Sequence, residues 1–331
     1  MILVTGASGR VGRHLVRALV KREEHVRVLV RSEEKAKGLV GVEVYEGDIL
    51  DKESLKRACE GVDTVYHLAA LVRYDVPEDE LQKVNVEGTK NVVEAYGGRK
   101  IIYLSSTAAM GKKLAEIPAN ESTECRPTDY YGKTKLEAEK IVLDAGGIVV
   151  RAADVYGKDF HEGYFDVFEM LEKGKMHVLG KGKNRIQYVH VDDLVLGLIV
   201  AENLGKAGEV YIITGPEVKT QEELYGLICR KLGVEPPKKH VPVMLAKTAA
   251  SLQGKEKWIP FIEKIAADRV FDISKAKKEL GFEPKVGYEE GIAEMIVEYR
   301  KEKAKEKVRQ AQQEKQEAQQ TSQFSSFSES E

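Results

Sequence analysis

The first twenty residues constrain the fold most, because they join an apolar run to an amphipathic stretch through a glycine-rich turn. The run Met1–Val4 is typical of a buried strand, and Val11–Lys21 has the apolar spacing of a helix. The turn between them reads Thr5-Gly6-Ala7-Ser8-Gly9-Arg10-Val11-Gly12. A strand, a glycine-rich turn and a helix in this order predict a site for a dinucleotide pyrophosphate, although a structural turn is the alternative.

Each glycine of the turn has a separate role in this interpretation. Gly6 permits the tight turn, Gly9 lets the backbone approach the phosphates, and Gly12 lets the helix pack against the strand. The free N–H groups at the start of the helix then face the anion. The cofactor-binding residues predicted here are Gly6, Ser8, Gly9, Arg10, Val11 and Gly12.

Apolar runs and helix-like segments alternate along the first half of the chain, which predicts an α/β fold with a Rossmann-type, doubly wound parallel sheet. The predicted strands are Met1–Val4, Val26–Arg31, Val42–Tyr45, Thr64–Leu68, Lys100–Ser105 and Ile148–Arg151. The predicted helices are Arg10–Lys21, Lys52–Glu60, Asp79–Tyr96 and Tyr130–Ala145. Ile186–Leu204 and Val210–Ile213 suggest a return to the sheet.

Three parts of the chain differ in pattern. Residues 1–152 and about 184–213 are expected to form the NAD(P)-binding domain. Residues 153–183 and 214–300 lack regular alternation and are expected to form a smaller, mostly helical substrate-binding lobe. The Lys/Glu/Gln-rich tail 301–331 is expected to be partly disordered, with a helical extension as an option and Phe324 and Phe327 as anchors if it docks.

The composition narrows the class of function. A net charge of −2 gives no argument for nucleic acid or an anionic membrane, and no apolar stretch reaches the length of a membrane span. Met1 begins directly in the first strand, so we expect a cytoplasmic protein. Cys59, Cys125 and Cys229 have no metal-ligand spacing, and we expect no metal.

The carboxyl ends of parallel strands line the ligand crevice of such a sheet. The predicted residues there are Arg31, Asp48, Ile49, Leu68, Ala69, Ala70 and Ser106. Arg31 stands where an acidic residue would bind the 2′-hydroxyl of NAD, and an arginine instead suits a 2′-phosphate. We therefore expect NADP as the preferred cofactor, with NAD possible. Asp48 and Ile49, after the third strand, are expected to touch the adenine, and the alternative for Asp48 is a cap of the next helix.

Tyr131 and Lys135 are four residues apart in a helical segment, so both side chains lie on one face. A free tyrosine, with a pKa near 10, is a poor acid–base catalyst at neutral pH. Lowering this pKa by roughly three units requires that the phenolate be stabilised by about 4 kcal/mol. A fixed Lys ammonium one helical turn away would supply much of this stabilisation. A hydroxyl of Ser105–Thr107 would hold a substrate oxygen nearby, and a local cap is the alternative.

These motifs together resemble the extended short-chain dehydrogenase/reductase superfamily, which includes nucleotide-sugar epimerases and dihydroflavonol-reductase-like enzymes. The resemblance rests on the glycine-rich turn, His67-Leu68-Ala69-Ala70, Asn85-Val86-Glu87-Gly88-Thr89, Leu104-Ser105-Ser106-Thr107, Tyr131-x-x-x-Lys135, Tyr188-Val189-His190-Val191-Asp192-Asp193 and Asp272-x-Ser274-Lys275-Ala276. It implies that Tyr131 is the general acid/base, that Lys135 lowers its pKa and holds the nicotinamide ribose, and that Ser106 orients the substrate. It also implies a supporting role for Asn85 and a structural one for His67.

Three positions limit the substrate class. Asp154 stands where many nucleotide-sugar enzymes have an asparagine that contacts the diphosphate, and Arg185 is one residue from their clamping arginine. Ser106 is followed by Thr107, not by the acidic pair of dehydratases. The leading hypothesis is an NADP(H)-preferring oxidoreductase acting on a small-molecule carbonyl or secondary alcohol. A nucleotide-sugar epimerase and a noncatalytic dinucleotide-binding scaffold are the alternatives.

Two further expectations concern surfaces. Trp258, Ile259 and Phe261 either line the substrate pocket or belong to the core. A homodimer is expected, with the helices Asp79–Tyr96 and Tyr130–Ala145 at its interface, as is common in enzymes that the chain resembles.

Overall fold

The computed structural model describes residues 1–72, 76–97, 100–254 and 259–328, with side chains except at 260, 261, 311 and 314–328. Its described strands are β1 (Ile2–Thr5), β2 (Val26–Val30), β3 (Glu43–Glu46), β4 (Thr64–His67), β5 (Lys100–Ser106), β6 (Ile148–Ala152), β7 (Val155–Tyr156), β8 (Val178–Leu179), β9 (Arg185–Ile186), β10 (Val189–His190), β11 (Val210–Ile213), β12 (Lys219–Thr220) and β13 (His240–Val241).

The described helices are α1 (Arg10–Lys21), α2 (Lys52–Cys59), α3 (Glu78–Gln82), α4 (Gly88–Tyr96), α5 (Tyr130–Asp144), α6 (Tyr164–Glu172), α7 (Val191–Leu204), α8 (Gln221–Leu232), α9 (Val243–Leu252), α10 (Ile259–Ala266), α11 (Ser274–Leu280) and α12 (Tyr288–Ser328).

Seven strands form one parallel sheet in the order β11-β6-β5-β4-β1-β2-β3. The order reverses between β1 and β4, so the crevice at the carboxyl ends of these two strands is where this topology places a ligand. Apolar side chains of α1, α7 and α11 pack on one face of the sheet, and those of α2, α4 and α5 on the other. The predicted Rossmann-type α/β fold is thus confirmed.

For the predicted helices and the first six predicted strands, most of the predicted start and end residues lie within one or two residues of the observed ones. The exception is Asp79–Tyr96, which is α3, a π-helical turn over Lys83–Glu87, and α4. The turn directs the Asn85 side chain toward Leu71. Val210–Ile213 returns to the sheet as β11, whereas Val191–Leu204 is the helix α7.

A second apolar core lies outside the sheet. It includes Phe168, Leu227, Ile228, Met295 and Tyr299, from α6, α8 and α12. The long helix α12 runs from this core through Ser328, so Thr321–Ser328, which composition predicts to lack regular structure, is helical here. Ala, Gln, Lys and Glu have high intrinsic helix propensity, which accounts for the extension as far as Gln320. Among the described helices, none combines the length and the apolar character that a membrane span requires.

Candidate active site

The glycine-rich turn between β1 and α1 is built around two close backbone approaches. Gly6 has φ +72°, and a Cβ there would lie 2.6 Å from the backbone nitrogen of Ala69. A Cβ at Gly12 would lie 2.2 Å from the carbonyl oxygen of Gly6. Because both contacts are with backbone, neither neighbour can move aside as a flexible side chain would. The turn therefore requires glycine at these two positions, as predicted for Gly6 and Gly12.

The start of α1 has the free donors that an anion needs. Gly9 is the N-cap, and no side chain among the described residues caps this end. The first N–H groups of α1 therefore point into the crevice without an intrahelical partner. These observations fit a dinucleotide pyrophosphate, since the two glycines keep the backbone close and the helix supplies donors.

The side chains of Arg13 and Arg10, at the start of α1, make different contacts. Arg13 donates to the carbonyl of Ser8 at 3.1 Å and to that of Lys37 at 2.8 Å, which ties the turn to the segment after β2. Arg10 is exposed; its guanidinium lies 5.2 Å from the ring centroid of Phe160 and 3.5 Å from Glu162. Arg13 is a positioning residue that sequence reasoning missed, because its role depends on a contact 24 residues away.

His67 at the end of β4 is a buried structural residue. Its ring nitrogens form hydrogen bonds with the hydroxyls of Thr5 (2.7 Å) and Thr89 (2.9 Å). Burial, with the charge of Lys135 adding to it, lowers the pKa of His67 to about 3. The ring is therefore neutral at physiological pH, and it joins β1, β4 and α4 directly beneath Leu68 and Ala69.

Asn85 fixes the segment that follows Ala70. Its amide oxygen accepts from the N–H of Leu71 at 2.7 Å, and its amide nitrogen donates to the carbonyl of Leu71 and to the hydroxyl of Thr134. Leu68, Ala69 and Ala70 are half-buried along this edge of the crevice. The side chain thus connects the crevice wall to α5, which carries Tyr131 and Lys135.

Ser106 ends β5 and caps the 3₁₀ turn Thr107–Met110. Its hydroxyl oxygen accepts from the N–H of Ala108 at 3.1 Å. A serine hydroxyl has one donor and two acceptor positions, so the cap leaves its O–H able to donate to a substrate oxygen. The local cap and the substrate-orienting role are therefore compatible.

The first turn of α5 packs directly on this 3₁₀ turn. Asp129 caps α5 by accepting from the N–H of Gly132 at 2.8 Å, and a Cβ at Gly132 would lie 2.5 Å from the carbonyl oxygen of Ala108. Tyr131, which is 8% exposed, is thereby brought beside the turn that Ser106 begins.

Lys135 is buried one turn further along α5. Its ammonium donates to the carbonyl of Leu104 at 2.7 Å and lies 4.1 Å from the ring centroid of Tyr103. Burial lowers its pKa to about 7, although the nearby Glu139 opposes the shift. The first turns of α5, with Tyr131 and Lys135, thus pack against the carboxyl end of β5, where Ser106 lies.

A buried ionic network lies beneath these three residues. Arg151 of β6 and Glu139 of α5 form a bidentate pair with contacts of 2.7–3.2 Å, and both side chains are at most 6% exposed. Ser105 donates to the same carboxylate. The network fixes the register of α5 against β5 and β6. The sequence did not single out Glu139, since one helical carboxylate carries no signal of its partners.

The predicted adenosine-side residues lie at the other end of the crevice. Arg31 is exposed just after β2, with no hydrogen-bond or ion-pair partner among the described residues. The Asp48 side chain accepts from the N–H of Leu50 at 2.9 Å, and Ile49 is buried. Asp51, not Asp48, caps α2. The capping alternative for Asp48 is therefore wrong, because Asp51 is the residue that directly precedes the helix.

The wall of the crevice that lies opposite the sheet is lined by charged side chains with ion-pair or hydrogen-bond partners. Asp154, after β6, forms an ion pair with Lys264 of α10 at 2.5 Å. Arg269 is 4% exposed and donates to the hydroxyl of Thr107 at 2.9 Å and to the carbonyl of Gly111. Burial opposes ionisation of Asp154, but Lys264 and Arg269 outweigh it and hold its pKa below the ordinary range. Lys264 and Arg269 were missed, since no spacing links them to β6.

The other predicted substrate residues have different surroundings. Arg185 is next to this wall, since its carbonyl accepts from the N–H of Arg269 at 2.7 Å, but its side chain is exposed and pairs with Asp268, 2.8 Å away. Ile259 begins α10 and is half-buried. Trp258 lies outside the described residues, as do the side chains of Phe261, Phe324 and Phe327.

Comparisons with known proteins agree with this geometry. The model of the NAD dependent epimerase/dehydratase family matches residues 2–214. A 3-beta-hydroxysteroid dehydrogenase from Mycolicibacterium neoaurum is 30% identical, and the match covers 90% of this chain and 91% of that protein. A 4-hydroxy-2-methyl-3-oxo-4-farnesyl-3,4-dihydroquinoline-1-oxide ketoreductase from Stigmatella aurantiaca is 28% identical, with 87% and 93% covered.

Among solved structures, a UDP-glucose 4-epimerase from Thermotoga maritima with UDP-glucose is similar, with a TM-score of 0.73 and 27% identity over 91% of this chain and 98% of that one. Its fold and the family match both cover the crevice described above. The chain belongs to the NAD dependent epimerase/dehydratase family, within the extended short-chain dehydrogenase/reductase superfamily.

Proposed function

We propose that the chain is an NADP(H)-preferring oxidoreductase that interconverts a carbonyl and a secondary alcohol, with Tyr131 as general acid/base. The observation that carries the proposal is the packing of α5, with Tyr131 and the buried Lys135, against the carboxyl end of β5, where Ser106 lies. The neighbouring crevice has the glycine turn that a dinucleotide needs. A ketoreductase and a hydroxysteroid dehydrogenase among the relatives support the reaction class.

In the reducing direction the residues act in a defined order. When bound in the crevice, NADPH would supply a hydride to the carbonyl carbon. The Ser106 hydroxyl donates to the carbonyl oxygen, and Tyr131 transfers its proton to that oxygen as the new C–H bond forms, which gives the alcohol and NADP⁺. The Lys135 ammonium, when protonated, stabilises the tyrosinate that remains.

Arg31 is the basis for the cofactor preference. An exposed guanidinium at the end of β2 suits a 2′-phosphate, because it can donate two hydrogen bonds to one phosphate group. No acidic side chain stands at this position to accept from a 2′-hydroxyl, and Ser32 follows. NAD remains the second cofactor that the turn accommodates.

Asp154 is the basis for preferring a reductase to an epimerase. Asp154 stands where many nucleotide-sugar enzymes have an asparagine, and its carboxylate, already paired with Lys264, has no N–H to donate to a sugar-nucleotide diphosphate. Arg185 is already paired with Asp268. A nucleotide-sugar epimerase is the second candidate, since the Thermotoga maritima enzyme is similar in fold and sequence.

The test compares Tyr131→Phe with the matched control Tyr130→Phe. Tyr130 is the preceding residue on α5, and its hydroxyl donates to Gln82 at 3.5 Å. Across a panel of ketones and nucleotide sugars, we expect Tyr131→Phe to lower kcat by about a thousandfold, within the range for general acid–base catalysis, while NADPH binding by fluorescence stays unchanged. The control should keep its activity.

Two results would overturn the proposal. Turnover on a tightly held cofactor, with no net change in nicotinamide absorbance, would make the chain an epimerase. Reactions that proceed equally in both variants would favour a noncatalytic dinucleotide-binding scaffold.

A further inference from the structure

A second cluster of polar side chains lies away from the candidate active site, where α1, the loop after β7 and α12 meet. Its centre is formed by Asp159, His161 and Glu298, whose ligand atoms all lie within 4.8 Å of one another. His161 Nε2 is 3.0 Å from Glu298 Oε2, and the N–H of Asp159 donates to the same oxygen at 3.2 Å. Two carboxylates and an imidazole nitrogen thus face one small volume.

The side chains of this cluster are held in place by their surroundings. The His161 ring stacks on Phe165 with a centroid distance of 4.4 Å and an angle of 15°. His14 of α1, 9% exposed, lies between Asp159 (3.1 Å) and Asp192 (3.4 Å). A neutral imidazole has one N–H, so it can serve only one of these two carboxylates as a donor.

The backbone at the centre of the cluster is also unusual. Asp159 has φ +68°, in the left-handed region that few residues other than glycine adopt. In this conformation the Asp159 carboxylate contacts His14 of α1 at 3.1 Å, while the backbone N–H of Asp159 donates to Glu298 of α12 at 3.2 Å. The residue is thus held between these two helices.

We propose that Asp159, His161 and Glu298 bind one divalent transition metal ion of the Zn²⁺ class. In a tetrahedral zinc site with bonds of about 2.0–2.2 Å, donor atoms lie about 3.4 Å apart. Here the three ligand atoms lie within 4.8 Å of one another, with His161 Nε2 and Glu298 Oε2 at 3.0 Å. The imidazole favours zinc over calcium or magnesium, which prefer oxygen ligands alone. Water fills the fourth position, and His14 orients Asp159 from behind, as outer partners of metal ligands do.

The position of the site gives it a structural role. Asp159 and His161 flank Phe160, which lies under the Arg10 guanidinium of the glycine-rich turn. Glu298 belongs to α12, which carries the second apolar core. The metal ion would therefore fix the cofactor end of α1 to the C-terminal part of the chain. Arg17 also contacts Asp159, at 3.5 Å, but its side chain is 52% exposed and can turn toward water.

The experiment is a titration of the full chain, depleted of metal with EDTA, with ZnCl₂ by isothermal calorimetry. We compare His161→Ala and Glu298→Gln with the control His177→Ala, an exposed histidine whose Nδ1 lies 3.1 Å from the carbonyl of Lys175. The wild type and the control should bind one Zn²⁺ per chain, and each of the two cluster variants should bind about a hundredfold more weakly. Circular dichroism checks that each variant is folded.

A second measurement separates a built site from nonspecific binding. Four-coordinate Co²⁺ shows strong visible absorption bands that the hexahydrated ion lacks. We expect these bands in the wild type and in His177→Ala but not in His161→Ala. The thermal midpoint of the wild type should rise when Zn²⁺ is added. No binding, or equal binding in all four proteins, would overturn the proposal and leave a hydrogen-bonded cluster only.

Discussion

The two sides of the crevice are held together by different forces. The near side is the parallel sheet, where β1, β4 and β5 are almost fully buried and apolar side chains fill both faces. The far side includes α9, which has no buried residue, and α10, which is tied to the body by Lys264–Asp154 and by Asn184 donating to the carbonyl of Ile265. Met244, Leu245 and Leu252 of α9 are exposed.

The difference separates two kinds of requirement. On the near side, backbone geometry and burial fix each position, so a single added atom is costly. On the far side, solvent-accessible ion pairs fix the helices, and such pairs contribute little to the free energy of unfolding. We therefore expect substitutions on the near side to change folding and cofactor binding, and those on the far side to change mainly substrate affinity.

The largest effect is expected for Gly12→Ala. Its Cβ would lie 2.2 Å from the Gly6 carbonyl oxygen, so α1 must move away from β1. We expect a loss of about 3 kcal/mol in the free energy of unfolding and about hundredfold weaker dinucleotide binding. The matched control is Gly226→Ala in α8, where nothing lies within 4 Å and a gain of about 0.5–1 kcal/mol is expected. Urea unfolding measures the stability of the two variants, and fluorescence titration measures their dinucleotide binding. Equal effects of Gly12→Ala and Gly226→Ala would contradict the requirement for glycine at position 12.

Lys135→Met should stabilise the protein while abolishing activity. Burial lowers the pKa of Lys135 from 10.5 to about 7, so between these values the folded chain binds fewer protons than the unfolded one. The free energy of unfolding of the wild type therefore rises with pH across this window, and the full cost is present below about pH 7. We expect the variant to be more stable by about 2 kcal/mol at pH 6, with the difference fading toward pH 10.

Urea unfolding at pH 6, 8 and 10 checks this expectation. The control is Lys133→Met, an exposed lysine two residues earlier on α5, which should show no such pH dependence. A difference that stays constant with pH would mean that the charge of Lys135 is not the cause.

Arg31→Ala tests the adenosine end of the near side. If the guanidinium contacts a 2′-phosphate, its loss should weaken NADPH binding by roughly tenfold to thirtyfold and leave NADH binding unchanged. Arg57→Ala, on the exposed surface of α2, serves as the control. Fluorescence titration with both cofactors gives the ratio of the dissociation constants for NADPH and NADH. If Arg31→Ala leaves this ratio unchanged, the basis for the NADP preference is removed.

Lys264→Met tests the far side. Loss of the pair with Asp154 should raise KM by about fivefold with little change in kcat, because the group positions α10 and does not react. The free energy of unfolding should change by under about 1 kcal/mol. Lys183→Met, which breaks the exposed pair with Glu222, is the control and should leave KM unchanged. A large loss of stability in Lys264→Met would contradict the contrast between the two sides.

The smallest expected effect concerns association. The homodimer through α3–α4 and α5 stays a prediction; of the large apolar side chains described as exposed, none belongs to these helices, so such an interface would be polar. Light scattering at two concentrations would detect it, and a monomer at both would contradict it.

Prediction from sequence succeeded for structural features that depend on neighbouring residues. The turn Gly6–Gly12, the i to i+4 pair on α5 and the order of strands and helices are all local patterns. The failures are contacts between distant segments. The π-helical turn around Asn85, the Glu139–Arg151 pair and the Arg269–Thr107 hydrogen bond each join residues whose separation gives no signal.

The sequence by itself thus determined the parallel α/β sheet, the dinucleotide turn and the candidate residues Ser106, Tyr131 and Lys135, because helix and strand periods and glycine geometry are properties of short segments. Only the tertiary structure decided that Lys135 is buried against Tyr103, that Asp154 is paired with Lys264, and that Asp159 and His161 meet Glu298. Burial and charge pairing depend on which distant segments pack together. This packing depends on contacts throughout the chain and cannot be read from any one short segment.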